Sequence, residues 1–321
     1  MSLWFHHMTS TLLPYDGIDS APVTVSRTLA LLYSLGAATS FVSSLYVLVP
    51  SQVRCLSRND KLQIQWRALA TSIVCVASSV AFSVIFPTQQ QQSPIAWTSI
   101  VHSTVLSCMG VLGHVTILYF GPLAQGALQI YIHLKHTGKD VTLQSIRQTY
   151  HNTFMEPYWS SLILGQGSSV IRWINLRNLV IAPFTEEFVF RGCIVRALEA
   201  VTENPWGAVS LCWIAPLFFG VAHLHHAFQR LFKDKEAALP VILQTLFQFT
   251  YTTLFGAYTS YAYLRTKSLL AVVLSHSFCN YMGLPTCEFA HKSSLLFAYR
   301  HWLWAAHLLG ITGFLWGLKM R

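Results

Sequence analysis

Glu186 and Glu187 stand side by side in an apolar stretch, Ile181-Ala-Pro-Phe-Thr-Glu186-Glu187-Phe-Val-Phe-Arg191, where a membrane segment ordinarily carries Leu or Val. An ionised group at bilayer depth costs roughly 2.5–3.5 kcal/mol on insertion scales, so it needs partners or a function. Two further apolar stretches carry polar groups of a matching kind, Phe219-Gly-Val-Ala-His223 and Ser275-His276-Ser-Phe-Cys-Asn280. Carboxylates, two histidines and an asparagine embedded in hydrophobic helices describe a hydrolytic site inside a bilayer.

The spacing assigns separate tasks. On a helix Glu187 and Arg191 are i and i+4, the separation of a favourable ion pair. Glu186 is rotated by about 100° from Glu187, so one carboxylate can neutralise Arg191 while the other faces a cavity. Pro183 should disturb the helix just before them, and broken helices at membrane depth are tolerated where they line a cavity. The competing reading is a Glu–Arg network that only locks packing. His223 ends its apolar helix, and alone would be an interfacial residue, as His225 and His226 are read to be. His276 and Asn280, again i and i+4, project from one face. They suit either a developing oxyanion, at about 2.7–4 kcal/mol per donor, or an interhelical hydrogen bond worth about 0.6–2 kcal/mol.

Other chemistries lack their residues. There is no H-E-x-x-H for a zincin, no G-x-S-x-G, and no intramembrane aspartate pair. Gly165-Gln-Gly167 is too short for a phosphate loop and has no following lysine. Two rivals stay open. One is a zinc enzyme using Glu186, His223 and His276 as ligands with a fourth position for water. The other is a non-catalytic scaffold or transporter that binds lipidated tails, although a transporter would usually show inverted repeats and none is visible.

The elements that must position these groups are membrane helices. Of 321 residues 53% are apolar and only 10% charged, with a mean hydropathy of +0.45. Soluble domains carry about 25% charged residues. The expected fold is all-α, a polytopic membrane protein with about eight transmembrane helices enclosing an intramembrane cavity. The apolar runs fall at about 28–49, 67–87, 101–121, 170–197, 206–223, 238–263, 268–283 and 302–318. Residues 1–26 read as a polar N-terminal leader and 27–321 as a single multi-helix transmembrane domain, with its motifs within 170–285. Gly126–Lys135 and Thr142–Tyr150 read as amphipathic helices or as a solvated loop. Seven dispersed cysteines without C-x-x-C read as packing residues.

A net charge of +9 in such a chain marks cytosolic loops and anionic lipid, and argues against nucleic acid. Arg54, Arg58, Lys61 and Arg67, then Lys135, Lys139 and Arg147, then Arg230, Lys233 and Lys235, then Lys292 and Arg300 fall on one side of an eight-helix topology. That side is expected to be cytosolic and both termini lumenal.

The pattern Glu186-Glu187-x-x-x-Arg191, Phe219-x-x-x-His223 and His276-x-x-x-Asn280 resembles the type II CAAX prenyl endopeptidases. These are the Ras-converting enzymes, within the wider CAAX-protease and bacteriocin-processing group of intramembrane proteases. The resemblance covers about 170–285 with every motif in order. It implies a glutamate-dependent hydrolase of the endoplasmic reticulum membrane, multi-pass, with its site open to the cytosol. Such an enzyme removes the last three residues of CAAX proteins, Ras-like GTPases among them, whose cysteine carries a farnesyl or geranylgeranyl group. The resemblance further implies that Glu186 and His223 activate water and that His276 and Asn280 form the oxyanion hole. Glu187 and Arg191 would support them, and no cofactor or metal is implied.

Overall fold

The computed structural model describes residues 25–86, 97–152, 169–201, 207–222, 227, 229–233 and 235–320. Among them the chain is helical, and one isolated bridge, Val25 to Val201, is the extended pairing found there. In order, α1 is Arg27–Val47, α2 Lys61–Ile85, α3 Trp97–Leu118, α4 Phe120–His136 and α5 Leu143–Tyr150. Helical segments Ser169–Leu176, Arg177–Ile181, Ala182–Glu187, Phe188–Val195 and Arg196–Glu199 then follow one another and together make α6. The chain continues with α7 Ala208–Ala222, α8 Ala238–Thr266, α9 Leu269–Met282 and α10 Arg300–Met320.

The protein is a polytopic all-α membrane protein. Arg27–Val47, Lys61–Ile85 and Val101–Leu118 are long and apolar enough to cross a bilayer, and Val209–Val221 and Leu269–Met282 are shorter apolar helices. Among the described residues each of the apolar runs in the sequence overlaps a helix, and both amphipathic stretches of 122–168 are helical, as α4 and α5. The proposed leader lies outside the described residues, apart from Val25 and Ser26, whose Oγ caps α1 by accepting from the Leu29 amide at 3.2 Å.

Apolar side chains face outward on these helices. Leu32 and Leu35 of α1, Val84 of α2 and Leu308 and Leu309 of α10 are all exposed. The buried face of α1 instead combines small residues, Ala30, Ser34, Ala37, Ala38 and Ser44, with Tyr33 and Phe41. This inversion is what lipid demands: tails are as apolar as leucine, so helices associate through close packing and hydrogen bonds. Hydroxyls turn back onto their own helix, as Thr116 to the Leu112 carbonyl at 2.7 Å and Thr312 to that of Leu308 at 2.8 Å, and so need no water.

Contacts group the chain into two compact units, Met1–Cys108 with Ile181–Leu274, and Met109–Val180 with Ser275–Arg321. In the first, the Tyr33 hydroxyl of α1 donates to the Ser78 carbonyl of α2 at 2.8 Å. Phe41 of α1 meets Phe190 edge-on at 5.7 Å, and Phe190 meets Phe219 of α7 at 4.9 Å. α7 and α8 pack so closely that a Cβ on Gly220 would lie 2.7 Å from Thr253 Oγ1 and 2.8 Å from the Phe249 ring. Gly220 meets Phe249 and Thr253 while Pro216 meets Gly256, so the two helices run antiparallel.

In the second unit α10 lies on the end of α3 and on α4. A Cβ on Gly310 would be 2.8 Å from the Ile117 carbonyl oxygen and 3.1 Å from that of Leu118. Phe289, Leu296 and Leu303 form a buried core, covered by Ala124, Leu128 and Ile132 of α4.

Gly310→Ala should therefore lower the thermal unfolding midpoint in detergent, with a cost of about 1–3 kcal/mol, because the obstruction is backbone. Gly113, in α3, has nothing within 4 Å of its Cβ position. Gly113→Ala should be neutral or stabilising by up to about 1 kcal/mol. Equal effects of the two substitutions would contradict the packing of α10.

Candidate active site

Pro183 opens the segment that carries the two glutamates. Its ring removes a backbone donor and crowds the carbonyl four residues back, so a regular α-turn cannot continue through it. The chain widens into a π-helical turn at Arg177–Ile181, returns to α geometry over Ala182–Glu187, and widens again over Phe188–Val195. Glu186 and Glu187 thus sit at the end of a short α segment bracketed by π turns, a placement that recurs at functional sites.

The widened turn at 188–195 is wholly buried, Arg191 included. Arg191 Nη1 lies 3.2 Å from both carboxylate oxygens of Glu187, with the two side chains 1% and 0% exposed. The sequence spacing anticipates this ion pair. The Arg191 guanidinium also sits over the Phe219 ring, 4.9 Å from its centroid, so α7 closes the pair from a second side. In the sequence Phe219 stands only as part of a motif.

Glu186 is half-buried, unlike Glu187. The residue before it is pinned twice. Thr185 Oγ1 donates to the Ile181 carbonyl at 2.9 Å, and the Cys75 thiol of α2 donates to the Thr185 carbonyl at 3.7 Å. The two adjacent carboxylates therefore differ in environment, one neutralised and sealed, the other partly accessible.

His223 lies outside the described residues; α7, which leads to it, is described as far as Ala222. His276 and Asn280 both lie in the second unit, on α9. His276 is buried and Asn280 exposed. Asn280 Nδ2 donates to the Asn178 carbonyl at 2.9 Å, and Asn178 Oδ1 accepts from Arg177 Nε at 2.9 Å. Asn178 belongs to the first π turn of α6. An amide nitrogen has two protons, so this bond orients Asn280 and leaves it a second donor. The last turn of α9 is held further by Tyr119, whose ring meets Phe278 edge-on at 5.5 Å and whose hydroxyl donates to the Gly283 carbonyl at 3.2 Å.

Among the described residues, no three His, Cys, Asp or Glu side chains group as a metal site would require. The structure thus brings Glu187, Arg191 and Phe219 together in one unit and His276 and Asn280 on one helix of the other. Asn178 was missed in the sequence, because a partner 102 residues distant leaves no local signal.

A helical membrane protein with a sealed Glu–Arg pair next to a second, accessible glutamate is the class that these observations define. Comparison with known proteins shows what this part of the chain is similar to. Residues 168–282 match the model of the type II CAAX prenyl endopeptidase Rce1-like family. A probable CAAX prenyl protease 2 of Schizosaccharomyces pombe is 45% identical over 119 residues, 37% of this chain and 42% of that protein. Human CAAX prenyl protease 2 is 46% identical over 145 residues, 45% of this chain and 41% of that protein. The Arabidopsis thaliana CAAX prenyl protease 2 is 27% identical over 304 residues, covering 91% of this chain and 88% of that one. The chain thus spans about two-fifths of the length of the yeast and human relatives in those matches. No solved structure matches it.

Removing one partner of a buried pair leaves the other charge unpaired, at a cost of about 3–5 kcal/mol. Glu187→Gln and Arg191→Ala should each lose stability on this scale, and the double variant should lose less than the sum. Thermal unfolding of the four proteins of the cycle checks this, and strictly additive losses would show that the residues do not meet.

Proposed function

We propose that this protein is an intramembrane endopeptidase that cleaves prenylated CAAX proteins, removing the last three residues. The observation that carries the reading is the contrast between Glu187, fully buried on Arg191, and the half-buried Glu186 beside it. In the proposed reaction Glu186, with His223, takes a proton from water. The water oxygen attacks the carbonyl carbon of the prenylcysteine, forming a tetrahedral oxyanion. His276 and the second Asn280 proton donate to that oxyanion. It collapses as the C–N bond breaks, and the proton held by Glu186 or His223 passes to the departing amine. Glu187 and Arg191 hold the helix that presents Glu186.

Supporting this reading are the match to the family model, the order of the motifs and the names of the relatives, CAAX prenyl protease 2. The substrates proposed are farnesylated or geranylgeranylated proteins, and the membrane proposed is that of the endoplasmic reticulum, with access from the cytosol. The basic loops support that orientation. The prenyl chain would bring the peptide to bilayer depth, at about 0.8 kcal/mol for each buried CH₂.

The test is cleavage of one CAAX peptide, prenylated and bare, by purified protein in lipid. The prenylated peptide should be cut after the modified cysteine with a far higher kcat/KM, and a chelator should have no effect. Equal kcat/KM for both peptides would refute lipid-driven recognition, and chelator inhibition reversed by zinc would establish the metal reading. Glu186→Ala and His223→Ala should lower the rate by roughly 10²–10⁴ in folded protein. Asn280→Ala and His276→Ala should lower kcat by roughly 10²–10³ and leave KM nearly unchanged. A raised KM with normal kcat would make the latter two substrate anchors.

A further inference from the structure

We infer that Gly256 of α8 is a positioning residue for the Arg191–Glu187 pair, although α8 carries none of the motif residues. A Cβ at position 256 would lie 2.9 Å from Cβ of Pro216 on α7 and 3.0 Å from Nη2 of Arg191 on α6. Neither neighbour has room to give. Pro216 sits in the interior of its helix with a ring that cannot change rotamer freely. Arg191 is 1% exposed and is held by Glu187 through Nη1 and by the Phe219 ring across its face.

Arg191 Nη2 has no hydrogen-bond partner among the described residues. That edge of the guanidinium is therefore fixed by contact alone, and the contact is the bare backbone of Gly256. The surrounding wall is small and polar. Thr253 and Ser260, one turn before and after Gly256, are buried or half-buried, and their hydroxyls likewise have no side-chain partner among the described residues. Three elements thus meet at one point where only a hydrogen atom fits. A methyl group there must push either α7 away from α8 or Nη2 away from its place. The second movement rotates the guanidinium and lengthens the 3.2 Å contacts to Glu187, the residue covalently next to Glu186. Gly256 therefore acts on Glu186 through Arg191 and Glu187, and this consequence for catalysis rests on the reading of Glu186 as the base.

The experiment is a double-substitution cycle on the full chain in phospholipid vesicles. It compares wild type, Gly256→Ala, Arg191→Lys and the double variant by thermal midpoint and by kcat and KM on a prenylated CAAX peptide. Lysine keeps the charge but lacks the Nη2 arm. Gly256→Ala should lower kcat at least tenfold with KM changed less than threefold, and should lower the midpoint. In the Arg191→Lys background the same change should lower kcat less than threefold and the midpoint by much less. Gly310→Ala, as tightly packed but in the other unit, should lower the midpoint and leave kcat within threefold of wild type. Equal effects of Gly256→Ala in the two backgrounds would overturn the inference. So would a kcat loss in Gly310→Ala that matches that of Gly256→Ala. If Gly256→Ala does not fold, folding of the double variant supports the inference and equal failure of both overturns it. If wild type cleaves no prenylated peptide, the proposed function falls, while the thermal cycle still decides whether Gly256 meets Arg191.

Discussion

A full charge pair buried among apolar helices is the constraint around which this unit is arranged. Charges taken out of water cost several kcal/mol each, and their mutual attraction offsets this only when geometry is good and remaining polar atoms are accommodated. Glu187 and Arg191 meet the geometric part of that condition with contacts of 3.2 Å to both oxygens and an aromatic face on the guanidinium, while Arg191 Nη2 has no hydrogen-bond partner among the described residues and rests on packing alone. The neighbouring helices follow from it. The π turn over Phe188–Val195 buries the arginine, α7 supplies Phe219, and α8 supplies a residue without a side chain. Such a pair adds little net stability over a hydrophobic equivalent, yet any disturbance of one member is expensive. Its effect is to fix one arrangement of three helices.

That fixed arrangement matters because Glu186 is the adjacent residue. Two consecutive glutamates on an α segment point about 100° apart. Once Glu187 is committed to Arg191, Glu186 is directed elsewhere, and it is half-buried where Glu187 is sealed. Catalytic rate depends steeply on placement, and a misplacement of 1 Å can cost about 100-fold. A base on a π-bracketed helix, which is the role proposed for Glu186, needs rigid support, and lipid supplies no hydrophobic force between helices. The support is instead glycine contact, back-bonded hydroxyls and the ion pair itself.

Much of this was legible in the sequence because hydropathy and helical period carry it. The run at 170–197 became a helical stretch from Ser169 to Glu199, and the run at 238–263 became α8, ending at Thr266. The Glu187–Arg191 pair was legible because i, i+4 spacing is local. The π turns were not, since Pro183 announces a disturbance without saying how the chain absorbs it. Gly256 was not legible either. It looks like Gly36 or Gly113 in sequence, and only the approach of Pro216 and Arg191 distinguishes it. The partner of Asn280 was hidden for the same reason, because the carbonyl of Asn178 is offered by a π turn that the sequence does not announce.

The central claim is that the adjacent carboxylates have separate tasks, Glu187 structural and Glu186 chemical. The most direct measurement sets Glu186→Gln beside Glu187→Gln, with thermal midpoint and single-turnover cleavage of a prenylated peptide recorded on the same preparations in lipid. The account predicts that Glu186→Gln keeps the wild-type midpoint and loses cleavage, while Glu187→Gln lowers the midpoint because Arg191 is left without its counter-charge. A stable, inactive Glu187→Gln protein together with an active Glu186→Gln protein would contradict it.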